Sequence, residues 1–190
     1  LYTQVVIKSS KLSIDHGQLL YVHLREYLDT ISNEIKSVSI LETGTARGFS
    51  SLCMAKALDD NNFYGKIITI DLIPHNKKFY WNCIKDLDGK ITRKDLLSTW
   101  HDLTEKYLIF VQGNTKVQLS KFNLDRIHFA FLDGAHSYND LKIEFQHVNA
   151  RQLKGDIIFL DDYNIKFFPD LVNAIDKCCE EFNYKKKIID

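Results

Sequence analysis

The sequence predicts an open α/β sheet, mostly parallel, with helices on both faces. Three observations carry that reading. Five short segments are rich in Ile, Phe, Leu and Val and show little alternation, as strands buried on both faces do. Between them, apolar residues recur at helical spacing. Glycines punctuate the segment ends: Gly65 and Gly155 stand just before apolar runs, and Gly44, Gly113 and Gly134 just after them.

The elements follow in order. Leu19, Leu20, Val22, Leu24, Leu28 and Ile31 give a first helix an apolar face, within an N-terminal helical segment 1–36. The first strand is read at Val38–Leu41, and FSSLCMAKAL (Phe49 to Leu58) as the helix after it. The second strand runs over Lys66–Asp71. A long connection, 72–106, reads as an inserted substrate or lid segment. Its Phe79, Tyr80 and Trp81 form either a satellite core or a substrate wall. Leu96, Leu97, Trp100, Leu103 and Tyr107 predict a helix at its end. The third, fourth and fifth strands are placed at Tyr107–Gln112, Ile127–Asp133 and Asp156–Asp161. Tyr138, Leu141, Phe145 and Val148 mark the helix after the fourth; Leu171, Ala174, Ile175, Cys178 and Phe182 mark the one after the fifth. A sixth strand is expected at Lys186–Ile189.

The 190 residues suit one domain, 1–190. Twenty-five basic and 25 acidic residues cancel, so no global field favours nucleic acid or an anionic membrane. No apolar run approaches the roughly 18 residues of a membrane span, and the opening residues do not read as a signal peptide. Cys53, Cys83, Cys178 and Cys179 lack Cys-x-x-Cys spacing, which suggests reduced thiols in a cytoplasmic protein.

The chemistry gathers behind the first strand, in LETGTARGFSS. In such sheets ligands bind beyond the carboxyl ends of the strands, so this turn faces the site. Ala46 breaks the Gly-x-Gly-x-x-Gly pattern of dinucleotide binders, which argues against an NAD oxidoreductase. Glu42 would repel a pyrophosphate, so a cationic or zwitterionic ligand fits better. Asp71, closing KIITID, could accept both hydroxyls of a ribose. A plain βα turn that binds nothing is the competing reading.

LETGTARGFSS, IITID, FVQGN, FAFLDGAHSYNDL and GDIIFLDDYN, in that order, resemble a class I S-adenosylmethionine-dependent methyltransferase. The Asp-Gly-Ala-His-Ser-Tyr stretch is similar to a branch holding small-molecule and sugar O-methyltransferases and cephalosporin hydroxylase-like proteins (methyltransferase family 24-like). The resemblance implies a Rossmann-like fold. It places Glu42, Gly44, Thr45, Gly48 and Ser50 around the methionine end of the cofactor, Asp71 on the ribose, Gly113 and Asn114 along the adenine, and Asp133 by its reactive end. This fold usually adds an antiparallel seventh strand. Either the chain continues beyond Asp190 or a second subunit, as in a homodimer, completes the edge.

Asp133, Asp161 and Asp162 end the fourth and fifth strands. Parallel neighbours lie about 4.8 Å apart, so the three carboxylates open on one crevice and would repel each other. Mg2+ or a similar divalent cation would relieve that; N-capping of the next helices is the alternative. The resemblance to metal-dependent O-methyltransferases favours the ion. Bound to it, an acceptor hydroxyl would lose its proton more readily and align for attack on the methyl group. His136 is the candidate base. The expected activity is O-methylation of a sugar or phenol. A metal-independent N- or C-methyltransferase and a non-catalytic S-adenosylmethionine-binding module are the alternatives.

Overall fold

The computed structural model describes residues 14–32, 34–134 and 137–189. His136 therefore lies outside the described residues. Five strands form one sheet: β1 (Ser37–Thr43), β2 (Tyr64–Asp71), β3 (Leu108–Gln112), β4 (Phe129–Leu132) and β5 (Ile157–Leu160). The order is β3-β2-β1-β4-β5, and all four pairings are parallel. The order reverses beside β1, so the tips of β1, β2 and β4 flank the crevice where such sheets bind ligands.

Helices α1 (Ile14–Ile31), α2 (Phe49–Asp60) and α4 (His101–Tyr107) supply apolar side chains to one core; α5 (Thr115–Leu119), α6 (Tyr138–Asn149) and α7 (Pro169–Glu181) supply the other. The strands divide their side chains by pleat. In β4, Phe129 and Phe131 enter the first core while Ala130 and Leu132 enter the second. Both faces of β4 are buried, which explains the unbroken FAFL. At the edge, β5 is only half-buried.

The structure corrects three local expectations. Lys186–Ile189 forms no strand, so the sheet has five among the described residues. Tyr107 ends α4 instead of starting β3. The helix read from Leu96 to Tyr107 is broken into α3 (Arg93–Leu96), a 3-10 turn Ser98–Trp100 and α4. Thr92 starts α3 by accepting the Asp95 N–H at 3.0 Å, and the three pieces are four, three and seven residues long.

The Phe79–Trp81 run forms a satellite core. Phe79 pairs with Ile91 through two backbone hydrogen bonds of 2.9 and 3.0 Å. Trp81 is fully buried, and its Nε1–H donates to the Ile91 carbonyl at 2.8 Å. Tyr80 faces outward, 42% exposed.

The end of the sheet opposite the strand tips is held by a polar staple. Asp156, with a side chain 0% exposed, accepts Arg126 Nη2–H at 2.8 Å and Nε–H at 2.9 Å. It also accepts the Tyr27 hydroxyl and the Leu153 N–H, each at 2.7 Å. Burial pushes its carboxyl up, but these donors outweigh burial and hold it below the usual aspartate value. Its stabilisation is therefore complete above the unfolded pKa of about 3.9 and is lost as pH falls through the lower folded value. Asp156→Asn should cost about 2–4 kcal/mol at pH 7 in urea unfolding, with the difference from wild type shrinking in acid.

Candidate active site

Glu42 sits near the end of the central strand β1 and is fully buried. Ser50 and Ser51, in the first turn of α2, each donate a hydroxyl to its carboxylate. Thr69 is a further hydroxyl partner. Burial raises the carboxyl; the Ser50, Ser51 and Thr69 hydroxyls and the more distant Arg93 charge only partly offset it. A cation brought near would complete that compensation.

Between β1 and α2 the chain turns through Gly44 (φ 90°), Thr45, Ala46 (φ 45°) and Gly48 (φ 87°). Gly44 cannot be replaced without displacement. A Cβ there would lie 2.1 Å from the Asp133 carbonyl oxygen, and positive φ resists any L side chain. Its N–H donates to Ile70 O at 2.9 Å, while Asp133 N–H donates to Thr43 O at 3.1 Å. Thr45 is buried and its hydroxyl meets that of Thr69. The turn thus locks to β2 on one side and to the end of β4 on the other.

Asp71, at the tip of β2, accepts the Ala46 N–H at 2.7 Å and the Ile73 N–H at 2.8 Å. Arg93, from the 72–106 connection, donates Nη2–H to it at 2.8 Å. Gly113 N–H donates to Asp71 O at 2.8 Å, and the exposed Asn114 starts α5 without a side-chain cap.

On the other side stand the remaining acids. Asp133 is pushed up to about 8, first by burial and then by the charges of Asp161, Asp162, Glu42 and Glu144. Asp161 accepts the Asp162 N–H on Oδ1 at 2.8 Å, and its Oδ2 lies 3.1 Å from His16 Nδ1 of α1. Asp162 holds a left-handed backbone, φ 60°, a strained state for a non-glycine residue. Ser137, not an Asp, caps α6, accepting the Asp140 N–H at 3.2 Å. A cavity of about 390 Å3 opens beside β5, lined by His16, Phe131, Asp161, Asp162, Tyr163 and Lys186 among others. Among the described residues no three His, Cys, Asp or Glu side chains already form a metal-binding group. Asp161 and Asp162 lie near enough for their charges to raise Asp133, and carboxylate oxygens are the donor type a hard cation takes.

The geometry thus brings Glu42, Gly44, Thr45, Gly48, Ser50, Asp71, Gly113, Asp133, Asp161 and Asp162 to the carboxyl end of the sheet. Sequence reasoning missed four participants. Ser51 and Glu144 carried a signal: Ser51 adjoins Ser50, and Glu144 falls on the apolar face of Leu141, Phe145 and Val148. Arg93 and His16 carried none, because each arrives from a distant segment.

Comparison with known proteins bears on this arrangement. Residues 41–163 match the model of methyltransferase family 24, described as a methyltransferase domain. No curated protein matches. Among solved structures, the chain resembles the O-methyltransferase NovP (TM-score 0.66, 17% identity, 90% of this chain and 74% of that one). It also resembles CalS11, a TDP-rhamnose 3'-O-methyltransferase (TM-score 0.60, 14% identity, 92% and 75%). A third likeness is S-adenosylhomocysteine-bound PaMTH1 of Podospora anserina (TM-score 0.58, 14% identity, 94% and 73%). At these identities the structural likenesses establish the fold.

Glu144 supplies a test of the site's electrostatics. Buried beneath Gly134, it accepts the Thr43 hydroxyl at 3.0 Å, and burial lifts its carboxyl to about 7. The folded state then holds a proton that the unfolded chain releases near pH 4.3. Stability on this account falls as pH rises from there to about 7. Glu144→Gln keeps an acceptor for Thr43 and removes the penalty. Thermal unfolding should show little change at pH 4.5 and a gain of up to about 3 kcal/mol at pH 8.

Proposed function

Because the chain belongs to methyltransferase family 24, we propose that it is an S-adenosylmethionine-dependent O-methyltransferase acting on a small hydroxylated molecule, a sugar or a phenol. The observation that carries this reading is the approach of separate strand-end acids at one mouth: the Glu42 charge helps to raise Asp133, and Gly44 backs onto Asp133. That NovP and CalS11 are O-methyltransferases, the second acting on a sugar nucleotide, supports the oxygen acceptor.

Each residue has a task in this reading. Glu42, short of positive charge, favours the cationic methionine end of the cofactor, with Ser50 and Thr45 beside it. The tight turn at Gly44 and Gly48 packs against the Asp133 carbonyl and Leu97, which fixes the backbone that the methionine end would meet. Asp71 accepts from the ribose, and Gly113 and Asn114 flank the base. S-adenosylmethionine supplies an electrophilic methyl group whose sulfide leaving group needs no proton. The acceptor enters from the cavity beside β5, where Asp161, Asp162 and Tyr163 meet it, and Phe131 gives it an apolar wall.

Asp133, Asp161 and Asp162 would hold Mg2+ or a similar divalent ion, which would lower the pKa of the acceptor hydroxyl. Asp161 would serve through the acceptor positions left beside the Asp162 N–H on Oδ1 and His16 on Oδ2. His136 would take the proton. The 72–106 connection would act on the cofactor site through Arg93, which holds Asp71 with the buried Trp81 ring beside it.

Calorimetry with S-adenosylhomocysteine should show saturable binding; none at millimolar ligand would remove the cofactor from this account. Metal is tested apart from it. Methyl transfer should disappear in EDTA and return with Mg2+, and Asp133→Asn should abolish that return. Activity indifferent to EDTA would leave the metal-independent alternative standing.

A further inference from the structure

The grip expected of Asp71 is limited by a residue that sequence reasoning did not assign. A carboxylate offers about four acceptor positions. Three are taken here: Oδ2 accepts the Ala46 N–H at 2.7 Å and Arg93 Nη2–H at 2.8 Å, and Oδ1 accepts the Ile73 N–H at 2.8 Å. The side chain of Asp71 is 9% exposed and that of Arg93 is 2% exposed. Among the described residues, these contacts leave one position, on Oδ1, to receive a ligand.

Arg93 is not a loose counter-ion that a ligand could push aside. Its Nε–H donates to Ala46 O at 2.8 Å and its Nη1–H to Ile73 O at 3.3 Å. The guanidinium lies over the Trp81 ring, 5.5 Å from the centroid. Displacing it would leave a buried charge unpaired and would unclamp Ala46, whose backbone sits at φ 45°.

We propose that Arg93 is a positioning residue of the cofactor site, fixing Asp71 so that it accepts one ribose hydroxyl and not both. The inference rests on the S-adenosylmethionine reading above. It makes recognition of the ribose lopsided. One hydroxyl meets a charged acceptor, while the other is left to water or backbone.

The test compares binding of S-adenosylhomocysteine with its 2′-deoxy and 3′-deoxy analogues by calorimetry. In the wild-type protein, removing one hydroxyl should weaken binding about tenfold or more, while removing the other changes it by less than about threefold. Arg93→Lys keeps the charge, but one nitrogen cannot hold Ala46 O, Ile73 O and Asp71 together. The freed Oδ2 position should bring the two deoxy losses together. A merely structural defect would weaken all three ligands by one common factor and leave the asymmetry intact. Equal losses in the wild type, or an asymmetry unchanged in Arg93→Lys, would overturn the proposal. If the lysine variant fails to fold, the wild-type comparison still decides. Failure of the wild type to bind S-adenosylhomocysteine at all is a different result, since it removes the cofactor reading and this inference with it.

Discussion

The ion pair between Arg93 and Asp71 is the contact on which the mouth of the sheet depends. It joins three segments distant in sequence: the first βα turn, the tip of β2, and the folded-back connection. Ala46 is clamped from both sides, its N–H by Asp71 and its carbonyl by Arg93. That double hold explains how a residue with a Cβ keeps a left-handed backbone. Trp81 and the Phe79–Ile91 pairing keep the guanidinium in place. The satellite core thus works as a bracket for the turn.

The acids around this mouth fall into two kinds. Asp71 has an arginine and two amides, and so its charge is answered within the chain. Glu42, Asp133 and Glu144 are not answered in this way. Burial raises all three, and hydroxyl donors offset only part of that for Glu42 and Glu144. The deficit is concentrated along β1 and β4, where a ligand bearing positive charge gains most. The neutral composition of the chain therefore conceals a local field.

Much of the fold was legible in the sequence because buried parallel strands are written as short apolar runs between glycines. Strand positions hold to within three residues, and the connections are helical. Lys186–Ile189 misled because two lysines followed by two isoleucines fit an edge strand on local pattern alone, and pairing is decided by neighbours. The broken helix before β3 was hidden for a similar reason: apolar spacing at Leu97, Trp100 and Leu103 persists across breaks that tertiary packing imposes. At the site, residues on strand tips could be found from sequence order, since a parallel sheet sends all its tips one way. Arg93 and His16 could not be, because their contacts span 22 and 145 residues and follow no period.

The crowding at Gly44 has an evolutionary corollary. With the Asp133 carbonyl occupying the space where a side chain would begin, the gap between the β1 and β4 tips is a fixed gauge. Variation in what the molecule accommodates must accumulate farther out, on the span from Asn164 to Phe168, where Ile165 and Phe167 stand exposed. Divergence within such a scaffold would then be read in that outer rim, with the throat left unaltered.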